Sequence, residues 1–239
     1  MPLELVWSIL WQPPYGGWIL HAIAVTVGIS LVSWCFALLI GIGVGVAREA
    51  PSRFARILGW AHVEVFRNVP LLVQLFFVYY VLPRLLPMHL RRELFRYDWE
   101  IVSSILTLSL YTSAKVAEHV RAGWRTIGQP MASAALATGL TWWQSQVHVV
   151  LPLLLRVIVP SLTSEFVTVF KSSSLAMTVG VVETSYITQE IGFQTFHWVE
   201  ANTAGTLIYL TCAWIVAGLM GFLERRVQVA GLLRRGAAT

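Results

Sequence analysis

Residues 18–47 contain no Asp, Glu, Lys or Arg, and neither do residues 201–223. A membrane-spanning helix needs about 20 consecutive apolar residues, so each run is long enough to cross a bilayer. A chain placed in lipid must satisfy its backbone internally, by helices or a closed barrel; uninterrupted apolar runs of this length select helices. The rest of the sequence fits that solvent, with 12% charged residues where soluble domains carry about 25%. The first run starts too far from the N-terminus, and lacks the basic leader, to read as a cleaved signal peptide. Cys35 and Cys212 each fall inside one of the two runs and read as small buried residues, without a disulfide framework or metal site.

Three further crossings are expected at residues 57–83, 99–120 and 153–182, each apolar with a few ionisable interruptions. Five crossings place the termini on opposite sides. Arg48, Arg53 and Arg56, then Arg121 and Arg125, then Arg225, Arg226, Arg234 and Arg235 follow the first, third and fifth. All lie on the cytoplasmic side if the N-terminus is outside, as positive-inside bias requires. The same bias accounts for the net charge of +5 without nucleic acid. The segment "RLLPMHLRRELFR" is the exception and reads as a short amphipathic helix on the outer surface. The expected organisation is an extracytoplasmic segment 1–17, a transmembrane region 18–228 with a cytoplasmic loop at 121–155, and a cytoplasmic tail 229–239.

Within that loop, "SAALATGLTWWQSQVHVVLP" (residues 133–152) is too polar to span. Ala134 to Thr138 favours a helix that Gly139 can end in a left-handed turn. Thr141 can cap a second helix through Trp142, Trp143 and Val147, and Pro152 marks a further break. Such a segment either docks a second protein or folds back on its own helices.

This segment resembles the EAA loop of ABC-transporter permeases: Ala134 and Ala135, Gly139 four residues on, and Leu151-Pro152 at the end, with Ser133 where the family has Glu. "VEVFRNVPLLVQLFFVYYVLP" (63–83), "RVIVPSLTSEF" (156–166) and "KSSSLAMTVGVVE" (171–183) are similar to the polar amino acid uptake branch, and Arg67-Asn68-Val69-Pro70 to its glutamate/aspartate type. The resemblance covers roughly residues 18–228. It implies an all-α integral membrane protein of the type I ABC importer permease fold in a bacterial inner membrane. It further implies a second permease subunit, identical or different, two ABC ATPase subunits beneath, and a periplasmic or tethered binding protein outside. Ser133, Ala134, Ala135, Gly139, Leu151 and Pro152 would form the loop that couples to the ATPase. ATP and Mg would bind the partner ATPase, and this chain would bind no cofactor. The sequence agrees, for it has no phosphate-loop motif; Gly41, Gly43 and Gly45 lie in an apolar helix, where they suit close packing.

Ionisable groups inside a membrane are costly. Arg67 is 11 residues beyond Arg56, about 16 Å along a helix, and Lys171 is about 22 Å beyond Arg156 by the same rise. Both are thus expected at comparable depth. Arg67 either pairs with Glu64 or lines a passage; Lys171 either pairs with Glu165 or a neighbouring span, or does the same. As passage residues they would offset the excess charge of an acidic amino acid, while Glu64 and Glu165 could hold its ammonium group. Pro70 leaves the carbonyl of Phe66 without a donor and disfavours helix at Val69. The second span is therefore expected to kink or break at Asn68-Val69-Pro70. Gln74 either faces the passage or joins helices. Thr168, Ser172, Ser173 and Ser174 supply hydroxyls beside Lys171, some bonding back to their own helix. The six histidines show no metal-binding spacing, and no nucleophile–base pair is evident.

The expected function is ATP-driven import of polar amino acids, glutamate or aspartate foremost, by a subunit that is not itself an enzyme. Import of neutral or basic polar amino acids of the glutamine, histidine or arginine type is the alternative; a stand-alone secondary transporter would be expected to show an internal repeat, which is not evident here.

Overall fold

The computed structural model describes residues 5–50 and 52–227, which are all-helical. The expected tail 229–239 lies outside the described residues. A 3-10 turn (Trp7–Trp11) precedes α1 (Tyr15–Ala47). Next come α2 (Arg53–Asn68) and α3 (Leu71–Phe76), a π turn (Phe77–Val81), and α4 (Leu82–Leu85). The basic outer segment folds as α5 (Met88–Leu94), which has no buried residue. It leads into α6 (Trp99–Gly123).

α6 is the axis of the fold, packing along α1 and also touching α2, α3 and α9 (Leu151–Ser172). The α1–α6 contact depends on two glycines. A Cβ on Gly41 would come within 2.6 Å of Val116 Cβ, and one on Gly45 within 2.7 Å of Val120 Cβ. Their four-residue spacing is the small-xxx-small pattern that lets two membrane helices approach closely. The rising register, 41 against 116 and 45 against 120, shows that the two helices run parallel. Gly43 takes no part, since nothing lies within 4 Å of its Cβ position. The main core joins α1, α6, α9 and α11 (Trp198–Val227). At its centre Trp34 stacks on Phe166 with ring centroids 4.9 Å apart.

Three helices are long and apolar enough to cross a membrane: Tyr15–Ala47, Trp142–Val179 and Trp198–Arg226. The pair Arg53–Asn68 and Leu71–Leu85 would make a fourth, although its halves diverge by 105°. The expected five crossings therefore fall short by one on length and composition, the missing one being α6. Its buried face carries Ser103, Ser104, Thr107, Ser109, Thr112 and Ser113. Several of these hydroxyls donate to carbonyls of the preceding turn, as Thr107 does to Ser103 at 2.7 Å and Ser109 to Ile105 at 2.6 Å. Such back-bonding satisfies the side chain locally. A helix enclosed by other helices gains nothing from a greasy surface, so α6 lacks the signature that marks α1 and α11.

Candidate functional site

The second expected crossing does break where proline requires it. α2 ends at Asn68, Val69 is extended (φ −90°, ψ 133°), and α3 starts after Pro70. The break strands two carbonyls, and Gln74 serves both: its Nε2 donates to Phe66 O at 2.9 Å and to Val69 O at 2.7 Å. The carbonyl of Phe66 is the one that the missing N–H of Pro70 would have met. Gln74 is buried and acts as a splint across the turn, joining α3 to α2 through the Phe66 carbonyl. Asn68 donates to Glu64 at 2.6 Å on the exposed side of α2, and Pro70 is exposed.

Arg67 does not pair with Glu64. Its guanidinium lies 3.8 Å from Glu118 of α6, which also receives Arg48 at 2.6 Å and lies 4.0 Å from Arg121. Glu49 in turn takes Arg121 at 3.1 Å and Arg125 at 2.9 Å. Four arginines thus share two carboxylates where α1 and α6 end. The side chain of Arg48 is 6% exposed and that of Arg67 57%, so Arg48 is the buried member and Arg67 the open one.

Lys171 has different surroundings. It is exposed and makes no ion pair among the described residues. Its expected partner Glu165 is held instead by α6: Lys115 Nζ is 3.3 Å from one oxygen and His119 Nε2 is 3.4 Å from the other. Three of the four nearby hydroxyls bond back to their own helix, Thr168 to Ser164, Ser173 to Phe170 and Ser174 to Lys171. Ser172 borders a small cavity together with Ser104 and Thr107 of α6. From Thr107 to Glu118 is about 16 Å along a helix. The expectation of equal depth therefore fails. Counting from Arg56 assumed that α2 rises alongside α6, whereas α2 lies across the ends of α1 and α6, with Gly59 against Arg48 and Arg67 beside Glu118.

The segment after α6 forms two helices, as expected, but the second is not short: it runs on from Trp142 into α9 without a break. A π turn (Trp124–Gly128) leads into α7 (Gln129–Ala137). Gly139 adopts φ +90°, Leu140 N donates to Ala135 O at 3.4 Å, and Gly139 N to Leu136 O at 3.0 Å. This pair of bonds is the Schellman cap, and it explains the Ala-x3-Gly spacing: Ala135 supplies the carbonyl and Gly139 the left-handed residue. Thr141 then exchanges bonds with Gln144, its amide donating to Oε1 at 2.9 Å while Gln144 N donates to its hydroxyl at 3.4 Å. That reciprocal capping box starts α8 (Trp142–Ser145). Ala135 is buried, whereas Ser133, Ala134 and Leu151 are exposed, and the Ser133 hydroxyl bonds back to Gln129 O at 3.1 Å. Trp142 and Trp143 are 53% and 72% exposed, an apolar surface awaiting cover. Pro152 does not break the chain. It sits in the first turn of α9, directly after a π turn (Gln146–Val150), and the helix continues through both.

Residues 37–229 match the family described as binding-protein-dependent transport system inner membrane component. The chain belongs to that family. It is 39% identical to the glutamate/aspartate import permease protein GltJ of Escherichia coli K12, over 97% of this chain and 98% of that one. It is 29% identical to the glutamine transport system permease protein GlnP of the same organism, over 95% and 100%. Among solved structures, the fold matches the crystal structure of an amino acid ABC transporter with histidines at TM-score 0.78 and 22% identity, covering 91% of this chain and 98% of that chain. The chain is accordingly an inner-membrane transport subunit and not an enzyme.

Two features of this transport component were not anticipated from sequence. Glu118 organises the arginine cluster, although it is 70 residues from Arg48. Glu183 is fully buried, capping α10 (Thr184–Thr195) through Ser185 N at 2.8 Å and Tyr186 N at 3.1 Å. Its carboxylate caps those amides as shorter polar side chains usually do, and glutamate is not among the residues by which an N-cap is read from sequence.

Proposed function

We propose that this chain is the permease subunit of an ATP-driven importer for polar amino acids, with glutamate and aspartate as its substrates. The similarity to a glutamate/aspartate import permease along nearly the whole chain carries this reading. The unpaired Lys171 supports it, since an acidic amino acid brings one net negative charge that must be compensated away from water. The passage would run past Lys171, Ser172, Ser173, Ser174 and Thr168, then past Arg67, Glu64 and Asn68 at the mouth shaped by Pro70 and Gln74. Excess cationic charge at both stations favours this class over neutral and basic amino acids.

The chain crosses the membrane five times, with residues 1–17 outside and the C-terminus in the cytoplasm. α6, about 37 Å long at the helical rise, is the crossing that composition hides. The transmembrane region is 18–228, and the loop 121–155 sits on an ABC ATPase, which binds ATP and Mg; this chain holds no cofactor. A second permease subunit completes the passage, and a binding protein delivers substrate from outside. Closure of the ATPase pair then moves the loop as a rigid body.

The deciding measurement is ATPase activity of the assembled complex in lipid, with its binding protein, against a panel of amino acids. Stimulation by glutamate and aspartate alone is expected. Stimulation by glutamine, histidine or arginine instead would keep the importer and discard the acidic substrate.

A further inference from the structure

Amino acids carry an ammonium group as well as carboxylates, and the passage described above offers it little. Glu64 is bonded to Asn68 on an exposed face, and Glu165 is occupied by Lys115 and His119. Two carboxylates are buried among the described residues, Glu183 and Glu200. Glu200 has His197 at 3.0 Å. Glu183 has no basic side chain against it. One oxygen takes the backbone amides of Ser185 and Tyr186, and the other takes the hydroxyl of Tyr209 and faces that of Thr26 at 3.3 Å. Two amides at a helix N-terminus and two hydroxyls converge on it, and these hydrogen bonds favour a carboxylate against the burial that opposes it.

Directly beside this carboxylate is a cleft of about 400 Å³ between the 3-10 turn (Ser173–Val179), α10 and α11. Ser174, Ser185, Gln189, Asn202, Thr206 and Tyr209 border it, and none of its lining side chains is charged. Tyr209 belongs to both structures. Its hydroxyl donates to Glu183 and accepts from the Ser185 hydroxyl at 3.2 Å, which leaves one lone pair of the phenol oxygen for the cleft. The cleft also begins one turn beyond Lys171, because Ser174 donates to the Lys171 carbonyl at 2.8 Å. One polar space therefore lies against the tyrosine that screens the buried Glu183 side chain.

We infer that this cleft is a binding station for the α-ammonium group of the transported amino acid, with Tyr209 as the accepting contact and Glu183 behind it as the positioning charge. The inference rests on the amino acid importer reading above. A polar, uncharged lining costs little to wet, and an ammonium group entering it gains an acceptor polarised by a fixed negative charge.

The test is direct binding of radiolabelled glutamate to the assembled permease–ATPase complex in nanodiscs, without binding protein. Glutarate, which keeps both carboxylates and lacks the ammonium, is the competitor. Wild type should bind glutamate at least about tenfold more tightly than glutarate, the ratio expected for one charge-assisted hydrogen bond. Glu183→Gln should lose that preference while glutarate affinity stays unchanged. Tyr209→Phe keeps the ring and should behave alike if the Glu183 variant fails to fold. Equal loss for both ligands in a folded variant, or a wild type that does not distinguish them, overturns the station. So does loss of permease pairing in Asn202→Leu, which would assign the cleft to a subunit interface. If wild type instead binds glutamine, histidine or arginine and not glutamate, the acidic substrate falls; the same comparison with the deaminated analogue of that amino acid then decides the ammonium station separately.

Discussion

Arg67 and Lys171 look equivalent in the sequence: each is a lone cation in an apolar stretch, on a segment expected to cross the membrane. Their surroundings are opposite. Arg67 reaches a carboxylate that already serves Arg48 and Arg121, so its charge is one part of a shared pool at the ends of α1 and α6. Lys171 stands without an ion partner among the described residues, although Glu165 lies on its own helix. An intramembrane charge with a partner is explained by its partner; one without must be explained by what passes it.

The sharpest way to break this contrast is at Glu118. Replacing it by leucine strands Arg48, whose side chain is 6% exposed, and should cost about 3 kcal/mol of stability. Thermal unfolding of the reconstituted complex would show it; an unchanged midpoint would mean that the cluster is ornamental. Next, Lys171→Met should lower glutamate transport roughly thirtyfold, near the worth of one charged hydrogen bond, with the protein still folded. Arg67→Met should lower it less than about threefold, because Arg48 and Arg121 remain beside Glu118; this is the difference expected when one of several pooled charges is removed. Equal losses in the two variants would erase the distinction between them. Gln74→Leu leaves the carbonyls of Phe66 and Val69 without their donor and should cost about 1–3 kcal/mol, seen as faster proteolysis at the α2–α3 turn. Smallest is Gly139→Ala, where strain at φ +90° is worth about 1–2 kcal/mol. It would appear as weaker retention of the ATPase on the purified permease rather than as unfolding.

Much of this architecture could be read from the chain before any coordinates. Charge-free runs mark α1 and α11, because lipid tolerates little else over that length. Pro70 announces the break, because a pyrrolidine nitrogen has no hydrogen to give. The Ala135–Gly139 spacing carries its cap geometry locally. What stayed hidden depended on distance or enclosure. α6 is buried by its neighbours, so its serines and threonines lower its hydropathy without harming it. The partners of Arg67 and Glu165 lie on another helix, and local spacing favoured Glu64 and Lys171 in their stead. The level of Arg67 was misjudged for a related reason: a residue count measures path length, and α2 runs across the ends of α1 and α6 rather than along them.

The run from Trp142 to Val179 is 38 residues of continuous helical chain, about 57 Å at an ideal rise, with a π turn and a 3-10 turn inside it and no loop. Such an element is a pushrod. A shove at the exposed tryptophans would reach the hydroxyl-rich turn beyond Lys171 less whatever the rod takes up by bending at the π turn and at Pro160. The caps at Gly139 and Thr141 then set the angle at which the rod is struck.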